Sequence, residues 1–350
     1  MTMLRKNTTR PLRLRHVFLW LLLVTAWNAA AQTPEYHFRN SFWRNLHHLL
    51  YAQALSQPEA GKVRRVRLIP EDEARAAGLT DGEAATWSQA RDYYVSTLIK
   101  RNLLFDDGMV TIGRALAAAD PDAELLASEE LPEDLRRVLN AAAPVYRRHW
   151  WNAHQKQNEQ WRDEATALLA QHGSVLRERL VQLLGAPWPA EPVTVDLVHY
   201  ANPQGAYTSL DPVLVTIATS DVDIQGNAAL EILLHETAHG MIDPIRSHLV
   251  EAADSSLETA DGPRLPRDLW HQVQFYLVGA AVAMEIDGYT PYADAVGLWT
   301  LAWSPRNRAA IHSQMRPYLS GDVSLHSAVD ALVHDLSSDD ADRLKANGGD

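Results

Sequence analysis

The chain has 350 residues, 46% hydrophobic and 22% charged, with no cysteine and a formal net charge of −12. Its mean hydropathy of −0.25 excludes whole-chain disorder, collagen-like repeats and a polytopic membrane protein. The acidic balance argues against nucleic-acid binding, which needs a basic footprint. The missing cysteines exclude disulfides, thiolate metal sites and Cys nucleophiles.

Charge is unevenly spread. Residues 1–31 carry Arg5, Lys6, Arg10, Arg13 and Arg15 and no acid, and an apolar run over 17–27 is followed by small residues up to Ala31. This is the layout of a secretory signal peptide, with cleavage expected after Ala31. The run is too short for a comfortable membrane span, which needs about 20 apolar residues. The expected product is an acidic periplasmic or secreted protein with no stable membrane span after signal cleavage; an uncleaved signal anchor is the alternative.

Residues 32–190 read as a helical N-terminal region. Apolar residues recur at helical spacing over 42–55, a stretch that also holds Asn45, His47 and His48. The segment 131–139 opens a helix with acids in its first turn, favourable to the helix dipole. A long helical stretch spans about 145–171, breaks at His172-Gly173 and resumes over 174–184, with Trp150, Trp151 and Trp161 as core residues. Gly185-Ala-Pro-Trp-Pro189 and Pro192 stop helices firmly and set the main boundary.

Residues 191–350 read as the metal-binding region. Residues 193–200 alternate apolar and polar side chains, a half-buried strand; Asn202-Pro203 and Gly205 form a turn, and 213–219 make a second strand. A helix is expected over 228–241, with Asn227 as its cap. Residues 270–286 are apolar nearly all round, as in a buried helix, and the acidic end from Ser337 reads as a frayed tail. The expected class is α+β, predominantly α-helical, with a small β-sheet.

The chemistry concentrates in Leu234-His235-Glu236-Thr237-Ala238-His239, an HExxH sequence. On a helix, residues i and i+4 share a face, so both imidazoles reach one ion. Zinc takes neutral imidazole at about 2.0–2.1 Å, and three protein ligands leave a position for water. Glu236 is then placed to act as general base and afterwards as acid. The bland alternative is two histidines that merely share helical spacing. Against it, Leu230, Ile232, Leu233 and Leu234 mark a buried helix, where unpaired polar groups cost about 1–3 kcal/mol each.

Strand, edge strand and HExxH helix over about 193–286 resemble the zincin metallopeptidases. The resemblance implies a zincin-like catalytic core with an HExxH helix and Zn2+ as cofactor. The metzincin branch has Gly three residues after the second His, where this chain has Ile242, and the Asn-Glu segment of thermolysin-like enzymes is missing. The chain is more similar to a bacterial family of exported zincin-type proteins, through Trp150-Trp151, Gly205-Ala-Tyr-Thr208 and Leu269-Trp-His-Gln-Val-Gln-Phe-Tyr276.

A third ligand is still needed. His271 is preferred, because it opens the apolar helix beside Gln272 and Gln274, with Asp268 placed to cap that helix or orient the imidazole. Glu258, separated from His239 by eighteen intervening residues, is the runner-up at a spacing resembling that of gluzincin aminopeptidases; Glu251 and Asp254 are further candidates. Tyr207, His199, Tyr289 and Tyr292 are residue types that suit an oxyanion donor. His149 and His154 lack i, i+4 spacing, which weakens a second metal site. Two functions compete. One is an exported zinc-dependent hydrolase, most simply a metallopeptidase acting on a peptide or protein. The other is a catalytically inactive zincin-fold binding or cell-envelope scaffold. A non-peptide amide or ester is a third possibility.

Overall fold

Four short strands form one mixed sheet, and helices cover both of its faces. The computed structural model describes residues 36–57, 68–189, 192–201, 203–256 and 265–347, all within one unit. The leader expected over 1–31 lies outside them. β1 (Tyr36–Arg39) leads into α1 (Phe42–Ser56), followed by α2 (Pro70–Ala77), α3 (Asp81–Thr97), α4 (Asp107–Ala118) and α5 (Glu133–Tyr146). A π-helical turn, Arg147–Trp151, joins α5 to α6 (Asn152–Leu184). Then come β2 (Val193–Val198), β3 (Ala206–Ser209), β4 (Leu214–Ala218) and α7 (Asn227–Ala238). A 3-10 turn, His239–Met241, precedes α8 (Asp243–Ser256), α9 (Leu269–Glu285), α10 (Tyr292–Ala295), α11 (Leu298–Leu301), α12 (Pro305–Leu319) and α13 (Leu325–Asn347). The fold is α+β and predominantly helical, as expected.

The strand order is β1-β2-β4-β3. β1, β2 and β4 run parallel, and β3 closes the order antiparallel to β4. The two regions expected on either side of residue 190 share this sheet, since Tyr36 pairs with Val193. Side chains alternate between its faces. Val195, Leu197, Val215 and Ile217 join the apolar cluster that includes residues of α6, α7 and α9. Val198, Tyr207 and Ala218 join the cluster built with α1, α3, α4 and α5. On that second side, Asp196 is paired with Arg39 at 2.8 Å and Arg44 at 3.3 Å.

Several local expectations are corrected. α6 runs unbroken through His172-Gly173; Leu176, Leu180 and Leu184 bury one side of it, and that packing overrides a glycine cost of about 1 kcal/mol. Asn227 is the first residue of α7 and Gly226, at φ 56°, is the cap. The expected frayed tail is helical as far as Asn347. Asn45, His47 and His48 are all fully buried. Their partners are internal: Asn45 donates to the Leu197 carbonyl, His47 meets the Tyr94 hydroxyl and His48 the Tyr207 hydroxyl. Among the described residues, no helix is long and apolar enough to cross a membrane.

Candidate metal centre

α7 is held against the sheet by its apolar side, with Leu230, Leu233 and Leu234 in the core. It ends at Ala238, and the chain turns sharply through His239–Met241. Gly240 permits that turn: a Cβ there would stand 2.7 Å from Val213 Cγ2 and 3.2 Å from Pro189 Cγ. Pro244 then sits in the first turn of α8, where its missing N–H costs little. The 3-10 turn thus keeps His239 beside His235 while sending the chain away. α9 returns and brings His271 to both.

The three imidazoles form a near-equilateral group. Ring centroids are 5.0 Å apart for His235–His239, 5.1 Å for His235–His271 and 5.2 Å for His239–His271. Their planes are inclined to one another by 85°, 49° and 37° in the same order. One ring nitrogen from each lies within 4.8 Å of the others. His235 Nε2 and His271 Nε2 are 3.1 Å apart. Ligands at about 2.0–2.1 Å around a tetrahedral ion would stand about 3.3–3.4 Å apart, so this edge is close to the required size.

Electrostatics points the same way. Burial, reinforced by the other two imidazoles, holds His235 well below its ordinary pKa. Burial, with His271 and Arg246 nearby, lowers His239 to about 3. Burial lowers His271 to about 4, against the opposing charge of Asp268. All three are therefore neutral at pH 7 and offer lone pairs. Two facing neutral imidazoles can share only one proton across the 3.1 Å between their Nε2 atoms. A divalent transition metal would use the convergent lone pairs, so this donor set fits one.

Glu236 is buried, at 6% exposure, and its Oε2 lies 3.8 Å from His239 Nε2. The Thr208 hydroxyl stands 2.8 Å from both the Glu236 carbonyl oxygen and its Oε2. Burial pushes this carboxyl up to about 7, against the Thr208 hydrogen bond. Thr208 belongs to β3, the last strand in the sheet order. A carboxyl poised near neutrality beside three lone pairs can accept a proton and return it.

The surroundings are aromatic. Phe275, one turn after His271, stacks on His235 at 3.6 Å between centroids. Trp270 stands edge-on to His239 and Trp303 edge-on to His271. Asp268 is the N-cap residue of α9 without a side-chain capping bond, and its carbonyl accepts from the His271 N–H at 2.9 Å. Its carboxylate accepts from Gln272 Nε2 at 3.1 Å and Trp303 Nε1 at 2.8 Å. Gln274 donates to the His235 carbonyl at 2.8 Å, tying α9 to α7 at the first histidine.

Other expected site residues lie elsewhere. Glu258 falls outside the described residues, Asp254 is exposed on α8, and Glu251 faces His248. Tyr207 hydrogen-bonds Arg44 and His48. Tyr289 and the Tyr292 amide donate to Glu231 Oε2, and Glu231 is a buried acid whose pKa burial raises to about 7. The Tyr292 ring stacks on Phe275. His199 stacks on His154 at 3.8 Å, beside Asp72. Sequence reasoning missed Phe275, Trp303 and Glu231. The helical spacing of Glu231, His235 and His239 is the one signal that would have found the last.

Compared with known proteins, the chain matches no family model, no curated protein and no solved structure. The site must be read from its own geometry.

Proposed function

We propose that this protein is an exported zinc-dependent hydrolase, a metallopeptidase with a zincin-like core. The observation that carries the reading is the convergence of His235, His239 and His271 beside a buried Glu236. These three imidazoles would hold the ion, and zinc bound by three histidines lowers the pKa of a water it carries towards about 7. Glu236 takes a proton at its carboxylate and delivers it to the departing amine; a carboxyl near pKa 7 suits both directions. The Thr208 hydroxyl, 2.8 Å from Oε2, fixes the carboxyl beside His239. β3 ends the sheet beside α7, so an extended peptide paired with that strand would run past Glu236. Phe275, Trp270 and Trp303 line the histidines with apolar surface and limit competing water.

An unbiased peptide library tests this. Zinc-loaded protein should cleave it in a chelator-sensitive way, and Glu236→Gln should lower the rate by about 10²–10⁴-fold with zinc retained. Cleavage unaffected by Glu236→Gln removes that residue from the mechanism. Absence of any cleavage by zinc-loaded protein favours the non-catalytic scaffold.

A further inference from the structure

Outside the centre, another group of metal-ligand side chains lies where α8 packs on α13. His248 and Glu251 are one turn apart on α8 and face His326 on α13. His248 Nδ1 lies 3.4 Å from His326 Nδ1 and 3.5 Å from Glu251 Oε2. Two ligands of a tetrahedral zinc-sized ion stand about 3.3–3.4 Å apart, so two edges of that figure are already set. The two imidazoles are inclined by 75° with centroids 5.0 Å apart. The rings are not stacked face to face, and their Nδ1 atoms are turned towards one another.

A second observation concerns the other side of His326. Its Nε2 lies 3.4 Å from Asp330 Oδ2, one turn further along α13. A carboxylate at Nε2–H favours the tautomer with its lone pair on Nδ1, the atom that faces His248. Carboxylate, imidazole and ion in line is how proteins orient ligating histidines.

We propose that His248, Glu251 and His326 form a second, surface metal site, oriented by Asp330, which clamps α13 to α8. Two imidazoles and one carboxylate suit zinc and its neighbours nickel and copper rather than calcium or magnesium. The ion would take the Nδ1 lone pairs of His248 and His326, the atoms that face one another. The clamp binds more weakly than the centre, because Glu251 and His326 are exposed to competing water.

Zinc titration of the full-length protein by calorimetry, with melting temperature as a second readout, tests this. The expected result is an equivalent of zinc that disappears in His326→Ala and in His248→Ala, and weakens about tenfold or more in Asp330→Asn. Excess zinc should raise the melting temperature of the parent protein through this equivalent, and that part of the rise should vanish in His326→Ala. In chelator, His326→Ala should melt with the parent, since the side chain is exposed. An equivalent lost in His271→Ala belongs to the centre and says nothing of the clamp. If no equivalent and no part of the thermal shift responds to His248→Ala or His326→Ala, the clamp does not exist.

Discussion

Two clusters of ligand-type side chains, three histidines in one and two histidines with an aspartate in the other, differ in how their rings are oriented. His235, His239 and His271 have planes inclined by 37–85°. His154 and His199, with Asp72, lie within a similar radius, but the two rings are parallel to 5° and stacked at 3.8 Å. A lone pair lies in the plane of its ring, so an ion between stacked rings would sit far out of both planes. Proximity alone does not make a metal site; convergence does. The stacked group instead works as a hydrogen-bond hub. His154 Nε2 contacts both Asp72 oxygens at 3.1 Å, Tyr146 meets His154 Nδ1 at 3.0 Å and Tyr200 donates to Asp72 at 2.7 Å. Arg75 completes the set at 2.7 Å. Asp72 is the single buried residue of α2, so this hub pins that helix.

The comparison can be broken by mutation. Asp72→Ala should cost the most stability, about 3 kcal/mol, because it strips a buried network of its acceptor. Denaturant unfolding measures it, and zinc content should not change. A parallel loss of zinc would show that the two groups are one system. Thr208→Val should leave zinc and fold in place and slow hydrolysis by about tenfold, the effect of one hydrogen bond to a charged group. Steady-state rates on a cleaved peptide measure it, and an unchanged rate would show that Glu236 needs no such support.

A further expected effect is a change of slope with pH in the metal-free protein. Burial lowers His154 to about 4, although Asp72 and its hydrogen bond oppose this. The unfolded chain therefore takes up this proton first, near its ordinary value of 6.5. Stability contributed by neutral His154 falls as pH drops from about 6.5 to 4. Burial acts to raise Asp72, but hydrogen bonds led by His154 outweigh it and hold the carboxylate well below its ordinary range. Its contribution is lost only at lower pH, below its unfolded value. Unfolding curves between pH 7 and 4 should be flatter for His154→Gln than for the parent; equal slopes would mean that His154 is charged in the fold.

What was legible in the sequence was local. The i, i+4 spacing of His235 and His239 needs one helix, and residues 230–234 supplied the apolar pattern for it. His271 stood out as a polar residue opening an apolar helix. The stacked hub was not legible, because Asp72, His154 and His199 come from three distant segments with no shared periodicity. β3 has no signal of its own, since four residues after Gly205 give too short an alternation; its partnership with β4 makes it a strand. Gly173 looked like a break because a helical glycine is unfavourable locally, and packing overrides that. Thr208 acquires its role only when β3 meets α7.

Zinc retained after dialysis against a weak chelator tests the central claim most directly, measured on the parent, His271→Ala and His154→Ala. The parent and His154→Ala should each keep one tightly held equivalent, and His271→Ala should lose it. Retention in His271→Ala together with loss in His154→Ala would contradict the account and move the metal to the stacked histidines.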